Sequence, residues 1–144
     1  MDQRLSLVTL GVTDLDRSHQ FYTALGWRGT EVQETVFFQA GPIALVLWDR
    51  GALADDAGVD DDGAAFGGIV LAHNVHTRAE VDTIIDQARA AGAVITREPA
   101  ETFYGGYAAC LADPDGHVWE VAHNPGFTLA PDGSLVLPDW DAQG

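Results

Sequence analysis

The chain's 144 residues, nearly half of them apolar, suffice for one ordinary domain or for two small modules sharing a core. A formal net charge of -15 repels nucleic acid and anionic lipid and attracts cations, so neither nucleic acid nor membrane is an expected partner. No apolar run approaches the roughly 20 residues that span a bilayer, Met1-Asp2-Gln3-Arg4 lacks the pattern of a secretory signal, and a single cysteine excludes an internal disulfide, which together predict cytoplasmic residence.

Residues 5–12 are apolar enough for a buried strand. Asp14 then caps a helix, with Asp16 in its first turn and Gly26 just past its end. Leu15, His19 and Tyr22, joined by Phe21 and Leu25, give that helix a broad apolar face. Strands follow over residues 27–31, 35–40 and 42–49, with Ala40-Gly41-Pro42 turning between the last two. The stretch 51–64, rich in Asp, Ala and Gly, reads as an acidic linker, its aspartates Asp55, Asp56, Asp60, Asp61 and Asp62 solvated.

The second half repeats this order. Residues 68–73 form a strand, and Thr77 with Glu80 three residues later is a capping box. Val81, Ile84, Ile85 and Ala88 mark the buried face of the helix, and Gly92 ends it. Strands follow over 93–97, 107–112 and 117–123. The tail, 125–144, carries a Pro131-Asp132-Gly133 turn that predicts a small extra hairpin, with Trp140 free to pack on the domain or on a partner. Each half, 1–50 and 65–124, is therefore strand, helix and three strands. The predicted class is α+β, two repeated βαβββ modules forming a curved mixed sheet around a cleft.

Between the last two strands, Asp113-Pro114-Asp115-Gly116 has the residue order of a type I turn: Asp at the first position, Pro at the second, Gly at the last. Glu120 follows, amid apolar neighbours on a strand that should be half buried. An unpaired carboxylate is costly there, so it needs a metal, a hydrogen-bonding partner or a water-filled cavity.

The segments Val12-Thr13-Asp14-Leu15-Asp16-Arg17-Ser18, Phe21-Tyr22-Thr23-Ala24-Leu25-Gly26, Phe66-Gly67-Gly68-Ile69 and Asp113-Pro114-Asp115-Gly116-His117-Val118-Trp119-Glu120 resemble the vicinal-oxygen-chelate superfamily. That superfamily includes glyoxalase I, ring-cleaving dioxygenases and bleomycin-resistance proteins, and the match covers about residues 5–124. The resemblance implies four metal-ligand positions, one near the start of the first strand and one near the end of the last strand of each module. Glu120 matches the last of these. The others fall at Leu7, at Gly68 and at Val46, with Leu47 the adjacent choice, and none of these side chains has a donor for a metal. No metal and no cofactor are therefore expected, because such sites need about three protein ligands. His73 with His76, and Glu120 with His123, are three apart at strand ends, which puts each pair on opposite faces of a strand. His76 and His123 read as exposed loop or edge residues.

Other chemistry is sparse. No nucleophile elbow or phosphate-binding loop occurs, Gly67-Gly68 and Gly105-Gly106 suit a strand bend or close backbone approach, and Cys110 reads as a small core residue. Trp48 alternates onto the face of Val46, Thr9 onto that of Leu7, and Phe103, Tyr104 and Tyr107 flank Gly105-Gly106. Thr9, Trp48, Tyr104, Tyr107, Leu7, Val46 and Gly68 are accordingly the expected ligand-binding residues, with Phe103 assigned to packing. Glu120 is open to three roles: a relic bonded to Thr9 or a tyrosine, a partner for a cationic ligand, or a catalytic acid or base with a raised pKa. The leading expectation is a metal-free small-molecule binder of the bleomycin-resistance type, sequestering a cationic or aromatic natural product; the resemblance implies a homodimer. The alternatives are a lyase or isomerase working through Glu120, with or without a displaced metal, and a partner-binding module without a small ligand.

Overall fold

The computed structural model describes residues 1, 3, 5–63, 66, 67, 69–140 and 142. They fall into two units, Met1–Ile69 with Asp113–His117, and Val70–Ala112 with Val118–Gly144.

The first unit holds β1 (Leu7–Val12), α1 (Leu15–Ala24), β2 (Gly29–Val32), β3 (Thr35–Ala40), β4 (Ile43–Asp49) and α2 (Arg50–Ala57). Asp14 starts α1 as its composition predicts, accepting a bond from the Arg17 amide. The sheet runs β1-β4-β3-β2, with β1 and β4 parallel and the other pairs antiparallel. Alternation buries Leu10, Val36, Phe38, Leu45 and Leu47 on one face, where Phe21 and Tyr22 of α1 complete the core. Tyr22, Trp27 and Phe38 meet pairwise at ring separations of 5.7 to 6.0 Å. Burying a side chain such as Phe38 or Leu47 contributes about 1.5–3 kcal/mol.

The second unit holds β5 (Val70–Asn74), α3 (Arg78–Ala90), β6 (Val94–Glu101), β7 (Tyr107–Ala112) and β8 (Val118–His123). Its order, β5-β8-β7-β6, repeats the first sheet strand for strand, again with the first and last strands of the module parallel. The Thr77–Glu80 capping box is present, and Val81, Ile85 and Ala88 bury the inner face of α3. The tail forms the short antiparallel pair β9 (Thr128–Leu129) and β10 (Leu135–Val136). The protein is thus mixed α+β, with two four-stranded mixed sheets built from two βαβββ modules.

Three local features depart from the sequence reading. Residues expected as linker form α2, capped by Asp49 and ended by Gly58 at φ 71°. Its residues show no apolar periodicity because none is buried. Asp61 is not merely solvated: the Arg50 guanidinium donates to both its oxygens, and those bonds hold the carboxyl below its usual range. Strand β6 extends past residue 97 through Pro99, which an edge strand tolerates. Among the described residues, no helix is long and apolar enough to cross a membrane.

Candidate functional site

The Asp113–His117 turn works as a fastener within the first unit. Gly116 N donates to Asp113 O at 3.0 Å, and Gly116 takes φ 84°, which glycine adopts without strain. Asp113 is buried; its Oδ1 accepts the Asp115 and His117 amides, and its Oδ2 accepts the Tyr22 hydroxyl at 2.7 Å. Asp115 Oδ1 accepts from the Thr13 amide at 2.9 Å and the Thr13 hydroxyl at 2.8 Å, and Oδ2 accepts from Ser18 Oγ at 2.8 Å. Burial alone would raise the Asp115 pKa; the bonds from Thr13 and Ser18, with the Arg17 charge, outweigh it and hold the carboxyl below its usual range. His117 Nε2 meets Gly11 O at 2.7 Å. Both aspartates of the motif are thereby committed to structure.

Glu120 belongs to the second unit and is not isolated. Arg97 Nη2 donates to its Oε2 at 3.3 Å. Register explains the meeting: Ala72 opposes Glu120, Glu120 opposes Cys110, and Cys110 opposes Arg97, so the four form one row across β5, β8, β7 and β6. The row lies on the sheet face opposite α3. Strict alternation would deny Arg97 this place. Ile95 pairs with Leu111 and Arg97 with Cys110, so β6 advances two residues while β7 retreats one. A second irregularity between Arg97 and Ala100 adds another residue and restores the phase, so that Glu101 returns to the α3 side and bonds Arg78. Between the two bulges Arg97 turns over to the Glu120 face and Glu98 to the α3 side, where it bonds Arg89. The sequence reading, which sought Thr9 or a tyrosine as the partner of Glu120, missed Arg97 because bulges carry no alternation signal.

The Glu120 side chain is 34% exposed and that of Arg97 is 53% exposed, so neither is sealed in apolar surroundings. Cys110 stands between them, half-buried rather than a core residue. Burial pushes its thiol up, the Arg97 charge pulls it down, and the Glu120 charge pushes it up again.

The structure brings some expected ligand residues together and separates others. Leu7, Thr9, Val46 and Trp48 share one face of the first sheet, with Thr9 directly opposite Val46 and Leu7 opposite Ala44. Val46 is buried there and Leu7 exposed. Tyr107 takes the other side of its own sheet. It alternates with Ala108, which shares the Glu120 face, so its ring lies on the α3 side. There its hydroxyl donates to Asp82 at 2.7 Å, and the Arg78 guanidinium lies 5.5 Å from the ring centroid. Tyr104 sits in the β6–β7 turn, edge-on to Phe103, whose ring is fully exposed rather than packed in a core. Gly68 lies outside the described residues. His76 and His123, expected as exposed loop or edge residues, line one cavity of about 210 Å³ with Asn74, Val75, Asn124 and Phe127.

The donor set does not fit a divalent metal. Glu120 is engaged by a guanidinium, Leu7 and Val46 have hydrocarbon side chains, and the described residues contain no group of three or more His, Cys, Asp or Glu able to hold an ion.

A family model, the Glyoxalase/Bleomycin resistance protein/Dioxygenase superfamily, matches residues 4–121. Among solved structures, a glyoxalase-related enzyme from Fulvimarina pelagi is 34% identical at a TM-score of 0.87, over 95% of this chain and 99% of that one. The hypothetical protein SA1046 from S. aureus is 27% identical at 0.76, over 85% and 94%. The fosfomycin resistance protein FosX from Mesorhizobium loti, at 20% identity and a TM-score of 0.66 over 86% and 94%, shares the fold. Among curated proteins, no sequence matches.

Proposed function

The chain belongs to the glyoxalase/bleomycin resistance protein/dioxygenase superfamily, and from that premise we propose that it is a small-molecule-binding protein that holds its ligand without a divalent metal. The observation that carries this reading is the state of Glu120: the carboxylate matched to a family metal position is paired with Arg97 and flanked by a thiol, in a chain with no other donor at the matched positions described. A guanidinium stands where a cation is wanted, and it needs no further ligands. Thr9, Val46 and Trp48 give the first sheet a mixed apolar and hydrogen-bonding face that suits an aromatic ligand. Cytoplasmic residence and a homodimer, implied by the lone cysteine and by the resemblance, are parts of the same proposal.

Titration of the intrinsic tryptophan fluorescence with bleomycin, other cationic natural products and aromatic acids tests it. A saturable change with at least one class in metal-free protein is the expected result. A flat response across the panel, or stoichiometric divalent metal in protein purified without chelator, overturns it. The name of the Fulvimarina pelagi relative, a glyoxalase-related enzyme, favours a second reading as a lyase or isomerase. Turnover that persists without metal and disappears in Glu120→Gln would select that reading.

A further inference from the structure

We infer that Arg97 is the ligand-recognition residue of the Glu120 face and that the ligand carries an oxyanionic group, a carboxylate or phosphonate, which docks on the guanidinium. The inference rests on the small-molecule reading above and narrows its ligand to oxyanionic compounds, in place of the cationic ones that the net charge by itself suggested.

The backbone is the first ground. Two bulges in one eight-residue strand are costly, since each leaves a residue outside the ladder, and here they put Arg97 on the Glu120 face while Glu98 reaches Arg89 of α3. Without them Arg97 would share the phase of Ile95, on the α3 side, and Glu98 would share that of Thr96, away from the α3 residue Arg89 that it now bonds. The irregularity therefore adds a cation to a face that strict alternation would leave with the Glu120 carboxylate and no arginine.

The second ground is unused bonding capacity. A guanidinium has five N–H donors in a planar fork. Arg97 gives Nη2 to one oxygen of Glu120 at 3.3 Å and a contact to the Cys110 thiol, while its side chain remains 53% exposed. The pairing is also looser than that of Arg50, whose Nε lies 2.9 and 2.8 Å from the two oxygens of Asp61. One long bond to Glu120 and the contact to the thiol hold the fork in place without using all of its donors. Glu120 thus acts as a positioning residue: it fixes the guanidinium and leaves donors for a bidentate oxyanion, the geometry that arginine matches best.

The third ground is charge. In a chain of net charge -15, an oxyanion finds little attraction at long range. Recognition then depends on a local, fixed cation. Of the other described arginines, Arg78 and Arg89 of this unit pair with Glu101 and Glu98 on its α3 side, and Arg17, Arg28 and Arg50 belong to the first unit, where Arg17 and Arg50 pair with Asp115 and Asp61.

Nuclear magnetic resonance of the full chain tests the inference with four ring-matched probes: benzoate, phenylphosphonate, benzamide and benzylamine. The Arg97 Nε–Hε and Cys110 amide signals should shift saturably with the two anions, and about tenfold more weakly or not at all with the neutral and cationic probes. Arg97→Gln should abolish the benzoate response, Arg97→Lys should weaken it by about tenfold because the fork is lost while the charge remains, and Arg89→Gln should leave it unchanged. Thermal unfolding of each variant checks that it folds, as an exposed ion pair adds little stability. Equal response to benzamide or benzylamine, or undiminished benzoate binding by Arg97→Gln, overturns the role of Arg97 while leaving a small-molecule site. Silence of every backbone signal to all four probes overturns the binding reading and this inference with it.

Discussion

At the scale of single residues, two carboxylates that look alike in the sequence have opposite fates. Asp115 is enclosed by donors from Thr13 and Ser18, its side chain only 4% exposed. Asp115→Ala should destabilise the fold by about 2–3 kcal/mol, since it leaves those donors unpaired, and urea denaturation measures the loss. The pH dependence follows from the lowered pKa of Asp115. The unfolded chain takes up the proton first, so the stabilisation is full above the ordinary carboxylate pKa and is lost as pH falls through the folded value. The variant's stability should therefore fall less steeply than the wild type's on the acid side of that range. Glu120 differs because its partner is one half-exposed arginine. Glu120→Gln should change stability by less than about 1 kcal/mol while weakening ligand binding; a large loss of stability would mark Glu120 as structural. Cys110, its thiol raised chiefly by burial, should react with iodoacetamide more slowly at pH 8 than a free thiol does. None of these environments is written locally. Thr13 and Asp115, or Arg97 and Glu120, are far apart in the chain; a turn folded back on the first unit joins the former, and sheet register joins the latter.

At the scale of elements, capping and periodicity made the helices α1 and α3 legible, down to the Asp14 and Thr77 caps. Strands β3 and β7 also begin and end where their alternation predicts. Turns were harder. Gln33 and Glu34 join β2 to β3 with φ 49° and 61°, left-handed values that side chains other than glycine and asparagine adopt reluctantly. Replacing the pair by Asn-Gly should raise stability by about 1–2 kcal/mol, read as an increase in the denaturation midpoint. Gly106 is the opposite case, where the expected close approach is found: an added Cβ would sit 2.5 Å from His123 O. Gly106→Ala should cost about 1–3 kcal/mol, because backbone on the neighbouring strand has to move. An unchanged midpoint would show that the β6–β7 turn yields instead. Helix α2 escaped the reading because a short helix with no buried face leaves no apolar period to detect.

At the scale of the whole molecule, both halves are βαβββ modules of the same strand order, and the family model spans them together. Light scattering should report a dimer if the chain assembles as the resemblance implies, and a monomer across the working concentration range would remove that part of the proposal. The sequence by itself determined the modules, their helices, the strand sequence and the family, because periodicity, caps and turn residues are local and occur twice. It also showed that Leu7 and Val46 carry no metal donor, which depends only on residue type. Only the tertiary structure decided which side chains share a face. Tyr107 went to the helix side with Asp82 as its partner, and Arg97 came round to Glu120. The physical reason is the same for both: alternation sets a face only relative to a register, and one extra residue in a strand reverses it.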